Sequence, residues 1–450
     1  MPRELSRRVA LKRGAVPLAA PSAALRVIAS SALAREGMAA APSDRIALGF
    51  IGVGAMGSGH LRCCVQYADA QVLGVCDVDR WRRERAREGV EQAYAAQQRP
   101  AQCEAYNDLR QLLARRDLDA VVIATGDRWH GLATAFAAQA GKDIYCEKPI
   151  SLTIHEAQAM VEAVRRYHRV CQIGLQQRST PEFRKACDLV QRGAIGSVRI
   201  VYVNMPGTCD DVSLPAEPVP DGLDWDLWLG PAPWRPYNAR FHPYGQWHGV
   251  VPWHFCRDFG GGNLTSNTVH AFDVVQWGLG MDASGPVEVA PPGVAGFPVL
   301  TYQYASGVLA QVVPGHLPAQ RPYPVKGWDD QTPVQNFGAV FVGDGGWIHV
   351  GREGYLESHP ADIAREALAH PEPGSPVNNH HQDWFNCLRT RRRPACDVAV
   401  GARSTIVSHL GCIAHWTGRR LRWDPVREEF PGDPEANRWR ARPMRQPWGI

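Results

Sequence analysis

From Ile46 to Val53 the chain is almost continuously apolar, the pattern of a strand buried on both faces. Apolar and polar residues then alternate with a helical period from His60 towards Tyr67. Val72–Cys76 is a second apolar strand, and Leu118–Thr125 a third. An Ala-rich helix over Gly131–Ala140 is stopped by Gly141, and Asp143–Cys146 is the next strand. Ser151–Tyr167 repeats the helix and Val170–Ile173 the strand. Regular strand–helix alternation of this kind predicts a parallel sheet covered on both faces.

Beyond Gly174 the pattern changes. Phe183–Arg192 is helix-like, and Ser197–Met205 alternates as a half-exposed strand. Thr208–Pro252 is dense in Pro, Gly, Trp and His, including Trp225, Trp228, Trp234 and Trp247. So long an aromatic loop costs ordering entropy unless it packs over something, so the segment is assigned to substrate enclosure, with domain packing the alternative for any single Trp. Leu264–Leu279, His381–Leu388 and an amphipathic Ala402–Trp416 are predicted helices, and Arg422–Pro425 a short edge. Phe430–Ile450 is Pro-rich, without clear periodicity.

With 450 residues, 45% of them hydrophobic, the chain has material for two or three domains at about 150 residues each. Lys+Arg 49 against Asp+Glu 45 is too balanced for a nucleic-acid binder, and the short Arg82–Arg87 and Arg389–Arg393 clusters read as solvated surface. No apolar run after residue 45 approaches the roughly 20 residues that span a membrane. Twelve cysteines are too sparse for a disulfide scaffold, and a Cys209–Cys256 bridge is a minor alternative to free thiols. His242, His248 and His254, and the adjacent His380 and His381, fit no compact zinc spacing, so no metal is expected.

Residues 1–41 stand apart. Arg3, Arg7, Arg8, Lys12 and Arg13 form a basic head, Ala15–Leu33 a moderately apolar middle interrupted by Arg26, and Ala39-Ala40-Ala41 a small-residue exit. That order is expected of an export signal, and Ser6-Arg7-Arg8-Val9-Ala10-Leu11-Lys12 resembles the twin-arginine type, which implies a periplasmic or otherwise exported protein. A disordered tail is the alternative.

The first strand runs into Gly52-Val53-Gly54-Ala55-Met56-Gly57. Gly52 permits the tight turn, Gly54 removes the side chain that would block a pyrophosphate, and Gly57 lets helix and strand approach. Free N–H groups at the helix start, around Ala55 and Met56, suit phosphate. Asp77 ends the second strand, where a carboxylate accepts from the adenosine ribose diol and favours NAD, while Arg80 and Arg82 keep NADP open. Thr125 ends the third strand, with Asp127 and His130 in the loop after it, near the nicotinamide or substrate. Glu147-Lys148-Pro149 follows the next strand directly. A Lys delivered to the carboxyl edge of the sheet can stabilise developing alkoxide charge.

These pieces, with Ala140–Pro149, the block Gly260-Gly261-Gly262 with His270 and Asp273, and the stretch Arg419–Pro425, resemble the glucose–fructose oxidoreductase / inositol dehydrogenase / rhizopine-catabolism (Gfo/Idh/MocA) family over essentially all of the chain after the signal. The resemblance implies an α/β protein: an N-terminal Rossmann domain (45–174), then a C-terminal α/β domain with a large open, mostly antiparallel sheet (175–425), used for substrate binding and oligomer contacts. A dimer or tetramer follows from it. The tail (426–450) resembles those of exported members and is expected to wrap this subunit or a neighbour.

The resemblance also makes His270 the general acid/base, on one helix face with Asp273. Where the family usually has Asp, four residues earlier, this chain has Ser266, so Asp273 or Asp258 would have to supply the charge. The expected catalytic residues are thus Lys148, His270 and Asp273. Gly52, Gly54, Ala55, Met56, Gly57, Asp77, Thr125, His130, Glu147 and Lys148 are expected to hold the cofactor, and Gln176, Arg178, Asn267, Trp247 and Asp258 the substrate. The leading function is oxidation of a secondary hydroxyl of a sugar, cyclitol or glycoside with tightly held NAD. Redox-assisted glycoside cleavage and a non-catalytic, cofactor-bound sugar-binding protein are the alternatives.

Overall fold

Strands apolar at successive positions must be covered on both faces, and the first sheet is built that way. In the computed structural model, which describes residues 44–246, 252–369 and 379–450, six strands lie in the order β3-β2-β1-β4-β5-β6, all parallel. They are β1 (Ile46–Ile51), β2 (Ala70–Cys76), β3 (Glu104–Tyr106), β4 (Ala120–Ile123), β5 (Asp143–Cys146) and β6 (Cys171–Ile173). The connecting helices are α1 (Ala55–Cys64), α2 (Arg80–Ala96), α3 (Leu109–Leu113), α4 (Asp127–Gln139) and α5 (Ile154–Arg166). β1 lies between β2 and β4, so the strand order reverses there and opens a crevice beyond the strands' carboxyl ends. The export-signal segment and Trp247 lie outside the described residues.

α4 begins earlier than the pattern suggests. Gly126 is its N-cap and Asp127 sits in its first turn, where a carboxylate faces the positive end of the helix dipole. Asp127 and His130 are therefore helical and buried, not loop residues.

The second sheet has eight strands in the order β13-β12-β11-β7-β10-β9-β8-β14. They are β7 (Val198–Asn204), β8 (Glu288–Ala290), β9 (Leu300–Gln303), β10 (Leu309–Val313), β11 (Ala339–Gly343), β12 (Gly346–Val350), β13 (Leu356–His359) and β14 (Leu421–Arg422). Only the β7–β10 pair is parallel. β7 is not half-exposed as its alternation predicts: Val201 and Val203 join the main core, while Ile200 and Tyr202 face a second cluster with Val313, Val342 and Trp347. Tyr323, Val325 and Trp328, from the long β10–β11 connection, pack on that other face, and the sheet is large, open and mostly antiparallel as expected.

α6 (Pro181–Gln191) packs on the main-core side. The single helix expected over Leu264–Leu279 is two. After α7 (Trp225–Leu229), α8 (Gly262–Ser266) and α9 (Thr268–Gly278) are separated at Asn267, whose ψ of −55° at φ −122° departs from helix geometry. Following α10 (Ala361–Ala369), α11 (His380–Thr390) returns to the first sheet and sets Trp384 and Phe385 in one cluster with Leu48 and Phe50. α12 (Val398–Thr417) is buried nearly all round rather than amphipathic. Its small residues permit this: a Cβ on Gly401 would press on Ile173, and one on Gly411 would lie 3.1 Å from the Leu264 and Leu300 side chains.

The tail includes α13 (Pro434–Arg438) and lies along its own chain. Trp448 meets Trp129 edge to face at 4.9 Å, and Arg442 pairs with the buried Glu156 at 2.7 Å. All twelve cysteines are free, Cys209 and Cys256 included. No helix among the described residues is long and apolar enough to cross a membrane.

Candidate active site

The turn between β1 and α1 is set by steric necessity. Gly52 has φ +84°, and a Cβ there would lie 2.6 Å from the Ala124 carbonyl oxygen. A Cβ on Gly57 would fall on the carbonyl oxygen of Gly52, well under the 3.0 Å that real contacts respect. Gly54 differs: a Cβ there would meet nothing nearer than the Arg82 Nη1 at 3.4 Å, because it would point into open space. That space is a cavity of about 320 Å³ lined by Gly52, Gly54, Ala55, Met56, Asp77 and Thr125, among others. No side chain caps the start of α1, so its free N–H groups are available to an anion.

Asp77 is held at the rim: Oδ2 accepts from the Val53 N–H (2.9 Å) and Oδ1 from the Asp79 N–H (3.0 Å). Each oxygen retains a lone pair for a diol. Glycine cradle, helix start and positioned carboxylate together fit a dinucleotide, and they are the residues that would hold it.

The aromatic segment of the second domain, expected to enclose substrate, lines this same cavity. Leu227, Trp228, Phe241, His242, Trp253 and His254 form the opposite wall. The segment is fastened to the first domain through Asp79, His242 and Trp228. The Trp228 Nε1–H donates to His242 Nδ1 (2.9 Å), which leaves the proton on Nε2 to donate to Asp79 Oδ2 (3.1 Å). Burial is the main cause holding His242 below its ordinary 6.5, and the ring is the neutral tautomer this arrangement requires. The Arg80 N–H donates to Gly222 O (2.9 Å), the Asn107 amide to Asp224 (2.8 Å) and Arg82 to Gln246 O (3.0 Å). Arg128 lies 3.7 Å over the Trp228 ring and donates to its carbonyl.

At the other end of the crevice, Lys148 leaves β5 and gives its Nζ to the Ser266 carbonyl at 2.6 Å, joining the two domains. Glu147, expected to hold the cofactor, is not among the residues lining the cavity above Gly54. Its Oε1 takes the His60 Nε2–H (2.9 Å), Oε2 takes the Lys148 N–H (3.1 Å), and His60 Nδ1 continues to His381 Nε2 (2.9 Å). Burial pushes this carboxyl up, but the His60 bond and neighbouring cations outweigh it and hold it down to about 2. Glu147 therefore positions Lys148. His130, likewise outside that lining, is 1% exposed; its two ring nitrogens meet the carbonyls of Pro149 (2.6 Å) and Thr125 (3.1 Å), bracing the ends of β4 and β5.

His270 is 2% exposed, with Nδ1 bonded to nothing and its ring edge-on to Phe337 at 5.6 Å. Burial first, then the charges of Lys148, Arg352 and His380, hold its pKa well below 6.5, so it is a neutral acceptor at neutral pH. Asp273 does not support it. That carboxylate takes Arg178 (2.8 Å) and the Ser404 hydroxyl (2.8 Å), and Arg178 also pairs with Asp282 (2.7 Å). Both expected site residues, Asp273 and Arg178, are thus spent in a buried ion-pair network, since neither charge is tolerated there alone. Asp258 is neutralised by Arg235 at 2.6 Å. Asn267 bonds back to Asn263 at the helix break, and Gln176 is exposed. Asp127, buried with Oδ2 unpartnered, lies in the field of Lys148; burial pushes it up to about 7. Arg352, Phe337 and His60 reach the site with no signal in their sequence neighbourhoods. Among the described residues no three His, Cys, Asp or Glu side chains are placed to hold a metal ion.

Residues 46–175 match the model of an oxidoreductase family with an NAD-binding Rossmann fold, and residues 207–312 and 341–450 match the model of its C-terminal α/β domain. The chain belongs to the Gfo/Idh/MocA oxidoreductase family. Among curated proteins it is similar to myo-inositol 2-dehydrogenase of Thermotoga maritima, 26% identical over 40% of this chain and 47% of that protein. It is also similar to inositol 2-dehydrogenase of Klebsiella pneumoniae, 30% identical over 33% of this chain and 42% of that one. The chain thus spans less than half the length of these relatives. Among solved structures, its fold is shared with aldose-aldose oxidoreductase from Caulobacter crescentus (TM-score 0.54, 17% identity, 84% of this chain and 99% of that chain). It is shared too with the WlbA dehydrogenase from Bordetella pertussis in complex with NADH and UDP-GlcNAcA (TM-score 0.56, 16% identity, 84% and 99%).

In this Gfo/Idh/MocA protein the two glycines should separate cleanly. Gly57→Ala should destabilise the fold by about 1–3 kcal/mol, read as an earlier urea midpoint. Gly54→Ala should keep the midpoint and lose bound nucleotide. The depressed His242 makes a second expectation. A histidine neutral in the fold and protonated when released contributes fully above pH 6.5, and its contribution fades as the pH falls below 6.5. Nucleotide should therefore dissociate faster at pH 5 than at pH 7.5. His242→Gln, which cannot titrate, should shrink that difference while dissociating faster at both; an unchanged pH response would refute the latch.

Proposed function

We propose that this family member is an NAD-dependent oxidoreductase acting on a secondary hydroxyl of a sugar, cyclitol or glycoside. The supporting observation is that the Lys148 ammonium and the neutral His270 imidazole lie within each other's field at the carboxyl edge of the nucleotide-binding sheet. When bound, NAD supplies the acceptor for the hydride of the carbinol carbon. The chain supplies the rest. Lys148 exchanges the Ser266 carbonyl for the substrate oxygen and stabilises negative charge as it develops. His270, uncharged and with an unpartnered nitrogen, takes the hydroxyl proton. Glu147, braced by His60, fixes the backbone from which Lys148 projects.

Asp77 at the rim favours NAD over NADP. The wall latched by Asp79, His242 and Trp228 suits a nucleotide retained between turnovers, as an exported protein would need, and the Arg7-Arg8 leader motif supports export. The same retention favours a second reading, cleavage of a glycoside by transient oxidation and re-reduction in one site.

Protein denatured after purification should release NAD, identified by mass. Lys148→Ala should keep the nucleotide and lower kcat by about 10²–10³-fold across a panel of free sugars, inositols and nitrophenyl glycosides. Absorbance at 340 nm separates net oxidation from aglycone release without net reduction. An empty protein, or a fully active Lys148→Ala variant, would overturn the assignment.

A further inference from the structure

Arg352 follows β12 in the second sheet and reaches the same place as His270 by way of Phe337. Its guanidinium lies 3.7 Å over the Phe337 ring, and that ring stands 5.6 Å from the His270 imidazole. Phe337 holds this position with φ +63°, a left-handed conformation that costs a bulky residue free energy and persists only where its surroundings impose it. Its carbonyl accepts from the Gln177 amide (3.4 Å), a tie to the crossover between the domains.

Arg352 is half-buried, yet among the described residues it pairs with no carboxylate and donates no hydrogen bond; it stacks on Phe337 and lies in the field of Glu147. Arg178, Arg235 and Arg442 are matched with acids, and the more deeply buried Arg128 gives its donors to the Trp228 carbonyl. The acids nearest the site are already engaged: Glu147 holds His60 and the Lys148 N–H, and Asp273 holds Arg178. A guanidinium partly removed from water without a hydrogen-bonded carboxylate is costly, and its planar fork of donors matches a carboxylate or phosphate. Burial lowers the Arg352 pKa, and the charge of Glu147 opposes it only in part.

We propose that Arg352 is a specificity-determining residue that receives an oxyanion of the substrate, so that the preferred substrate is a sugar acid or a sugar phosphate and not a neutral sugar. This rests on the reading of Lys148 and His270 as the reaction centre, because it places the anionic group across Phe337 from the carbon that reacts. Stacking on Phe337 keeps the guanidinium edge free for that group.

The test is calorimetric titration of the protein as purified, with its nucleotide, against glucuronate, galacturonate, glucose 6-phosphate, glucose and galactose. At least one acid or the phosphate should bind about 10- to 100-fold more tightly than its neutral parent. Whether the uronates or the phosphate ester shows the gain identifies the source of the oxyanion. Arg352→Met should remove the preference without changing affinity for the neutral sugar, and Arg352→Lys should keep part of it; melting temperatures near wild type establish that both variants fold. Equal affinity for acids and neutral parents, absence of binding across the panel, or a preference that survives in Arg352→Met would each overturn the proposal. Nucleotide content and oxidation of the neutral sugars are measured in parallel: a loaded protein that oxidises glucose and glucuronate alike retains the function and removes the role of Arg352.

Discussion

At Gly57 the first helix touches the Gly52 carbonyl so closely that no side chain fits between them, and the rest of the site follows from that approach. It brings the helix start against the carboxyl end of β1, beside the point where the strand order reverses. Uncapped N–H groups, the bare Cα of Gly54 and the carboxylate of Asp77 then face one cavity. A helix displaced by the width of a methyl group would keep the same residues and lose their convergence.

Neither domain completes the site alone. The first supplies the cradle and Lys148; the second supplies His270, the wall carrying Trp228 and His242, and the carbonyl of Ser266 that Lys148 holds. The contacts between them are polar and directional where they border the crevice, as at Asp79–His242–Trp228, and apolar where α12 runs between the sheets. Directional contacts set the spacing of the cavity walls, while the apolar helix resists their separation. Charge is distributed in the same spirit. Acids expected to serve the reaction are spent on arginines, as Asp273 is on Arg178 and Asp258 on Arg235.

The parallel sheet was legible because its strands are continuous apolar runs and its turn demands glycine at fixed spacing. Lys148 was legible because a strand delivers it. Features assembled from distant segments were not. Asp273 and His270 share a helix, and spacing alone suggests a pair; the partner that captures Asp273 is Arg178, 95 positions earlier. The aromatic segment was read as enclosing substrate, and its part in walling the cavity above Gly54 was hidden, since its anchor is Asp79, far away in sequence. The second sheet was mostly hidden because short strands such as β8, β9 and β13 are only three or four residues long, too few for a period to emerge. The long β10–β11 connection that packs on its outer face carries its aromatics singly, with no regular spacing.

The central proposal is that Lys148 and His270 flank one reacting position within reach of a nucleotide seated above Gly54. A crystal structure of the protein with NADH tests it most directly. The account requires the pyrophosphate over Gly54, the ribose diol on Asp77, and the nicotinamide C4 directed to the space between Lys148 Nζ and the His270 ring. A nicotinamide turned away from both side chains, or a nucleotide bound elsewhere on the protein, would contradict it.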